Sequence, residues 1–277
     1  MDDPYTQTVL TISLEEGVKT FVSVGNVNKT LFKQIKDHHA TLIHRESTPT
    51  PDAARMAEIS GADIIIATGY DEGGWIPQNQ IGTFSIVPTI VDAVDIPVMA
   101  TGGINDIRGV RAAFALGAEG VYVGTRFIVS EECPASDKTK EDIIRTKAKD
   151  LVFVSATQRS TPHKFAIELE NMYKNGLPTD EKINQSGSLR PGMLEGRLDE
   201  GIVSVNTAID LITEVKSCEA IVKELMADFM KLTSKTTSSY ILLYRNICFC
   251  FLEYFKMHSY WNKKKRLYHI VETHQFA

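Results

Sequence analysis

Three glycine-rich turns hold the residue types and spacings that suit binding an anion: Gly69-Tyr70-Asp71-Glu72-Gly73-Gly74, Thr101-Gly102-Gly103-Ile104 and Gly124-Thr125. Glycine lets backbone N–H groups come close to a ligand, and a helix starting just after Ile104 would add its positive end. Thr125 adds a hydroxyl donor. Gly-Gly and Gly-Thr at two adjacent strand ends suit a phosphate cradle. The same glycines also suit tight turns between strands and helices, and spacing alone leaves both readings open. His44 and Arg45, in Ile43-His44-Arg45, add an imidazole and a fixed cation at another strand end. A lone histidine is more often structural, and a strand-end arginine serves equally in a salt bridge.

The elements that must hold these turns are short β-rich runs alternating with helix-like segments. Phe21–Val24 reads as a strand, Leu31, Phe32 and Ile35 as a helix face, and Thr41–Ile43 as the next strand. Asp52–Ile59 reads as a helix with Pro51 in its first turn, and Ala62–Ala67 as a strand buried on both faces. Phe84, Val87, Ile90, Val91 and Val94 repeat at helical spacing, which Pro88 permits only in a helix that starts just before it. Ile96–Ala100 is a further strand, Ile107–Leu116 a helix capped by Asn105 or Asp106 and ended by Gly117, and Gly120–Gly124 the last strand. This alternation predicts parallel βα units in an α/β fold. About five strands can be counted where a closed (β/α)₈ barrel needs eight, so a doubly wound open sheet remains an alternative. Both architectures put the ligand at the carboxyl ends of the strands.

Beyond Ser130 the chain becomes polar and mostly helical, punctuated by Pro162, Pro178 and Arg190-Pro191-Gly192; from Ser239 its composition changes again. The expected organisation is a barrel portion over 1–130, a helical insertion and closing segment over 131–238, and a separate apolar and basic tail over 239–277. In that tail, Ile241–Phe255 is interrupted by Arg245, Asn246 and Glu253 and is too short to span a bilayer; the basic run at Lys263–Arg266 leaves only a minor prospect of membrane-surface contact. The 277 residues carry 30 Lys+Arg against 35 Asp+Glu, a formal charge of −5, which argues against non-specific nucleic-acid binding. Cys133, Cys218, Cys248 and Cys250 are too few and too unevenly spaced for a disulfide framework or zinc site. No secretory leader follows Met1-Asp2-Asp3-Pro4, and the expected location is a reducing cytoplasm.

Taken together, Gly61-Ala62-Asp63, Gly69–Gly74, Ile96–Ile104 and Leu116–Phe127 resemble the nitronate monooxygenase (2-nitropropane dioxygenase) family. That family also contains FMN-dependent enoyl-ACP reductases and NAD(P)H:quinone reductases. The likeness is dense from about Thr8 to Phe127 and looser to about Met230. It implies a TIM barrel of (β/α)₈ type that binds FMN non-covalently, with a helical C-terminal region. Carried over by position, Gly102 and Gly103 would donate backbone N–H groups to the FMN phosphate, and Gly124 and Thr125 would complete the cradle. Gly73 and Gly74 would lie beside the cofactor. Thr68 stands at a strand-end position often acidic in relatives, and Arg45 where relatives commonly keep a basic residue near the flavin edge; a fixed cation there would favour negative charge on the reduced ring.

Two departures qualify the resemblance. Relatives usually read Gly-Gly-His, the histidine acting as acid or base beside the flavin, whereas this chain has Trp75. Indole exchanges no proton near neutral pH, so Trp75 would stack over substrate, seal the pocket or simply pack, and His44 is the remaining, weaker candidate base. The family's first strands and an early FMN-covering loop have no counterpart here, and the expected barrel is incomplete at its N-terminus, with an open edge suited to self-association. The implied function is an FMN-dependent oxidoreductase that oxidises nitronates or passes hydride from NAD(P)H, a possible co-substrate, through flavin. An enoyl-ACP or quinone reductase is the alternative within the family, with an enoyl thioester or quinone as substrate. A non-catalytic barrel remnant is the alternative outside it. A sugar-phosphate aldolase or isomerase would need a catalytic lysine or paired carboxylates at strand ends; Asp71 and Glu72 are adjacent on one turn and no strand-end lysine stands out, so that reading ranks low.

Overall fold

The computed structural model describes residues 4–228. The tail expected over 239–277, with Cys248 and Cys250, lies outside the described residues. Two compact units make up the described chain: one comprises residues up to 70, 77–102 and 111–122, the other residues 71–76, 103–110 and those from 123 onward.

The first unit opens with helix α1 (Pro4–Glu15) and then alternates strand and helix: β1 (Thr20–Val24), α2 (Lys29–Asp37), β2 (Thr41–Arg45), α3 (Pro51–Ile59), β3 (Ile64–Thr68), α4 (Thr83–Val91) and β4 (Val98–Thr101). Helix α5 (Ile107–Ala115) leads to the two-residue strand β5 (Gly120–Val121). The five strands are all parallel and lie in the order β1-β2-β3-β4-β5. Chain order without reversal is the pattern of a TIM barrel; a doubly wound sheet would double back at a switch point. The fold is therefore α/β of TIM-barrel type, with five parallel barrel strands among the described residues.

Local signals explain the boundaries. Asn28 caps α2 by accepting the Leu31 N–H at 3.0 Å, and Phe32 and Ile35 bury its inner face. Thr50 caps α3 through the Ala53 N–H, with Pro51 in the first turn and Ala54 and Ala57 buried. Ile64–Thr68 is buried along its whole length, as its aliphatic run requires. α4 corrects one expectation: it starts at Thr83, five residues before Pro88. Its first turn is held by the Thr83 hydroxyl, which donates to the Gly102 carbonyl at 2.9 Å. The carbonyl that Pro88 leaves without an N–H belongs to Phe84, which is largely exposed, so water can take that bond.

In the second unit, α6 (Thr125–Ile128) and α7 (Asp137–Arg145) precede an antiparallel hairpin of β6 (Val152–Ser155) and β7 (Gln158–Ser160). The helices α8 (Lys164–Lys174), α9 (Asp180–Gln185) and α10 (Cys218–Leu225) follow. The hairpin interrupts a region expected to be helical, and its first strand is the apolar run Val152-Phe153-Val154. One core cluster joins Val129, Ile143, Val203, Val205, Ile209 and Ile212, and a second joins Val152, Val154, Ala166, Leu169, Ile183 and Ile202. No helix among the described residues is long and apolar enough to cross a membrane.

Candidate functional site

Strand register sorts the candidate residues of the first unit between two sheet faces. Side chains alternate along a strand, and residues in register on parallel neighbours point the same way. His44 is in register with Ile65, and its ring meets Phe32 of α2 edge-on at 5.2 Å, so this face is turned toward α2. Ile43 is in register with Ile64 on the other face, which therefore also carries Arg45, Ile66 and Thr68. Thr101, in register with Thr68, joins them. Arg45, Thr68 and Thr101 thus share one face at the carboxyl ends of β2, β3 and β4, and all three are buried. His44, the candidate base, is parted from them: it is buried on the opposite face, with Nε2 3.3 Å from the Glu46 carboxylate.

Glycine is sterically required where this unit's turns meet. A Cβ on Gly69 would sit 2.0 Å from Thr83 Oγ1 and 2.4 Å from the Thr83 backbone. Gly102 has φ +112, and a Cβ there would sit 2.5 Å from the same hydroxyl. Its neighbour Gly103, in the second unit, has φ +70.

Within the second unit the segment 204–208 gathers the remaining candidates. The Gly74 N–H donates to Ser204 Oγ at 2.8 Å, and a Cβ on Gly73 would strike the Val205 backbone at 2.5 Å. Asp71 accepts the Thr207 N–H at its carbonyl and faces the Thr207 hydroxyl at 3.2 Å. Asn105 and Asn206, both buried, exchange reciprocal amide bonds of 2.9 and 2.8 Å. Asn105 also donates to the Ala208 carbonyl, and Asn206 Oδ1 accepts the Ala208 N–H. Thr125 Oγ1 accepts the Asn206 N–H at 3.0 Å, which leaves the hydroxyl proton to point elsewhere. Sequence reasoning missed Ser204, Asn206 and Thr207. They lie in a stretch that forms neither helix nor strand in the structure, and its signal in the sequence is the apolar–polar alternation Val203-Ser204-Val205-Asn206 after Gly201.

Trp75 sits on a loop tied down on both sides, by the Gly74–Ser204 bond and by the Ile76 N–H, which donates to the Thr157 carbonyl at 2.7 Å. The indole itself is 50% exposed, so it is not a core tryptophan. Arg126, next to Thr125, is buried and donates to the Val129 carbonyl. Burial pushes its pKa down, against the opposing pull of Glu224 and Glu214.

The start of α5 alters one expectation. Asp106 caps it, accepting the N–H groups of Arg108 at 2.9 Å and Gly109 at 3.3 Å. Partial burial works to raise the Asp106 carboxyl, but the Arg108 guanidinium and these two N–H groups outweigh it and hold the pKa below its usual value. The positive end of this helix is therefore already met by a carboxylate, and Asn105 is freed for the pair with Asn206.

Backbone donors are left over at two of the glycine turns. The N–H groups of Gly102 in the first unit, and of Gly103 and Gly124 in the second, have no acceptor among the described residues. A Cβ on Gly124, whose φ is −109, would enter open space, with no atom within 4 Å. Unpaired N–H donors of the second unit's glycines suit an anion such as a phosphate group. No group of three or more His, Cys, Asp or Glu residues that could hold a metal ion occurs among the described residues.

The sequence profile of the nitronate monooxygenase family matches residues 2–228. A probable nitronate monooxygenase of Staphylococcus aureus (strain MRSA252) is 39% identical over 166 residues, covering 56% of this chain and 46% of the relative. One from Staphylococcus haemolyticus is 36% identical over 174 residues, covering 58% and 48%. The chain thus spans about half the length of the relatives it matches. Among solved structures, FabK from Thermotoga maritima superposes with a TM-score of 0.75 at 31% identity, over 84% of this chain and 75% of that one. A nitroalkane oxidase from Streptomyces ansochromogenes superposes at 0.69 over 83% and 69%, and at 20% identity it speaks for the fold alone. With its profile match running through all the described residues, the chain belongs to the nitronate monooxygenase family.

Proposed function

We propose that the chain is an FMN-dependent oxidoreductase of the nitronate monooxygenase class, oxidising nitronates or passing hydride from NAD(P)H through the flavin to an acceptor. The observation that supports this reading is the pair of unpaired N–H groups on Gly103 and Gly124 in the second unit, which suit an anion in a family whose members bind FMN. When bound, FMN would supply the redox chemistry. The chain's own residues bind and orient: Gly102, Gly103 and Gly124 donate to the phosphate, and the Thr125 hydroxyl adds its proton. Gly73 and Gly74 lie beside the cofactor. Arg45 contributes a fixed positive charge that favours negative charge on the ring, with Thr68 at the same strand ends.

No residue receives the role of base. Trp75 cannot take a proton near neutral pH, and His44 is packed on Phe32 away from Arg45. This favours substrates that need no proton removed, and gives the second reading, a quinone or enoyl-ACP reductase, its support. The open outer edge of β1 makes self-association part of the proposal.

Gly124→Val tests the phosphate contact. Its Cβ meets no atom within 4 Å, and its φ of −109 and ψ of −78 lie just outside the α region, so the ligand-free protein should fold and melt only slightly below the wild type. The side chain should nevertheless fill the space before the donors. Loss of one or two charge-assisted hydrogen bonds, about 1.5–3 kcal/mol each, predicts FMN binding weaker by about tenfold or more in a fluorescence titration. Equal affinity in the two proteins overturns the assignment.

A further inference from the structure

Charge is distributed unevenly along this chain. Residues 1–228 carry 22 Lys+Arg against 33 Asp+Glu, and residues 229–277 carry eight against two, so a body of formal charge −11 is followed by a tail of +6. The tail also holds 11 of the 23 aromatic residues, with the apolar run Ile241–Phe255 ahead of the basic run Lys263–Arg266. A segment that is both aromatic and cationic suits a surface that is apolar and anionic.

Such a surface lies where the tail leaves the second unit. α10 ends three residues before the last described residue, and a parallel bridge between Ser130 and Lys216 joins the stretch leading into α10 to the turn after α6. Glu131 on that turn, Glu214 before α10, and Glu219 and Glu224 on α10 are exposed carboxylates. Lys216 is shared between Glu214 and Glu224, Lys223 is taken by Glu219, and Glu131 has no ion-pair partner among the described residues. Leu211 and Val215, on the stretch leading into α10, are 42% and 39% exposed. Val215 adjoins the bridged Lys216, and Glu131 adjoins its partner Ser130, so apolar surface and uncompensated carboxylate stand side by side.

We infer that residues 241–266 dock on this face of their own chain, the apolar run covering Leu211 and Val215 and Lys263–Arg266 meeting the carboxylates around Glu131. Reach permits it. The 13 residues from Asp228 to Ile241 span up to about 45 Å when extended, against about 12 Å for the length of α10. Tethering also sets the local concentration at about the millimolar level, so a contact with a Kd of about 0.1 mM would be mostly closed. An anionic lipid surface would present the same chemistry, but the body would have to follow the tail there against the repulsion of its own charge. The docking is independent of the flavin reading.

The test uses full chains, one preparation at natural isotope abundance and one labelled with ¹⁵N, mixed in equal amounts at low micromolar concentration. A carbodiimide then joins lysine amines to adjoining carboxylates, and the links are mapped by mass spectrometry. Lys263, Lys264 or Lys265 should be linked to Glu131, Glu214, Glu219 or Glu224 within a single isotope, at several times the yield of links to carboxylates elsewhere on the body. Salt at 1 M should lower that yield, because it screens exposed charges. Glu131→Lys combined with Val215→Lys, both at exposed positions, should also lower the yield severalfold while the far-ultraviolet circular dichroism stays that of wild type. Links mainly between isotopes would hand the face to a second copy and overturn the inference. So would an absence of tail links, tail links spread evenly over the body, or a yield unchanged in the double variant. Co-sedimentation of the chain with phosphatidylserine–phosphatidylcholine vesicles, with loss of the links within one chain, would give the tail to lipid and equally overturn it.

Discussion

The reciprocal amide pair between Asn105 and Asn206 makes a quantitative prediction about what fixes the strand-end turns of the second unit. Asn105→Leu leaves one buried group without a partner, Asn206 Nδ2, because Asn206 Oδ1 keeps the Ala208 N–H and the Ala208 carbonyl keeps the Leu211 N–H. At about 1–3 kcal/mol for each unmade bond, the cost should be about 1–3 kcal/mol. Asn206→Leu orphans two groups, Asn105 Oδ1 and the Ala208 N–H, and should cost about 2–4 kcal/mol. The double variant removes both amides, and only the Ala208 N–H remains unpaired. It should therefore cost about 2 kcal/mol less than the sum of the single variants. Urea unfolding followed by far-ultraviolet circular dichroism measures all four proteins. Additivity within about 0.5 kcal/mol would refute the reasoning, because independent sites add and a shared hydrogen-bond network does not.

Three further outcomes are expected. Gly69→Ala should cost more than 2 kcal/mol of stability, roughly the scale of core overpacking, because its Cβ would lie 2.4 Å from the Thr83 backbone; a melting temperature equal to wild type contradicts the packing of that turn. Burial pushes the Cys133 thiol up, as it does the Cys218 thiol, so at neutral pH both thiols stay protonated in the folded and unfolded chain and stability there is indifferent to them. Above the ordinary thiol range the unfolded chain ionises first and stability should fall, while peptide mapping should show Cys133 alkylated by iodoacetamide more slowly in native than in urea-unfolded protein; equal rates would contradict its burial. Val24 stands 58% exposed at the end of edge strand β1, so light scattering should show concentration-dependent association that Val24→Lys reduces; a monomer at every concentration would remove the open edge as a contact.

Much of the first unit was legible because its signals are local. Ile64–Thr68 is a run of aliphatic residues, Thr50-Pro51 is a helix start, and Gly117 with φ +91 is a helix stop, so β3, α3 and the end of α5 could be read directly. Pro88 misled because the anchor of α4 is not local: the Thr83 hydroxyl reaches the Gly102 carbonyl, 19 residues on. The first strand of the hairpin was legible as the apolar run Val152-Phe153-Val154 and was passed over, while its partner β7 was hidden by Arg159 and Ser160, polar residues that are buried in the structure. At the candidate site, the glycine turns were visible in sequence, while Asn206 was not. Its partner Asn105 is 101 residues away, and no spacing rule connects them. The face occupied by His44 was equally out of reach, since it depends on strand register and not on neighbours in sequence.

The central claim is a phosphate cradle made of backbone donors, and comparing FMN with riboflavin on the unmodified chain tests it most directly. The two ligands share the ring and the ribityl chain and differ in the phosphate, so the ratio of their dissociation constants isolates the group that Gly102, Gly103, Gly124 and Thr125 are proposed to hold. Two or three charge-assisted hydrogen bonds predict FMN binding tighter than riboflavin by about a hundredfold or more, with the FMN complex staying yellow through gel filtration. Equal affinity for the two flavins, or a colourless protein after incubation with either, would contradict the account.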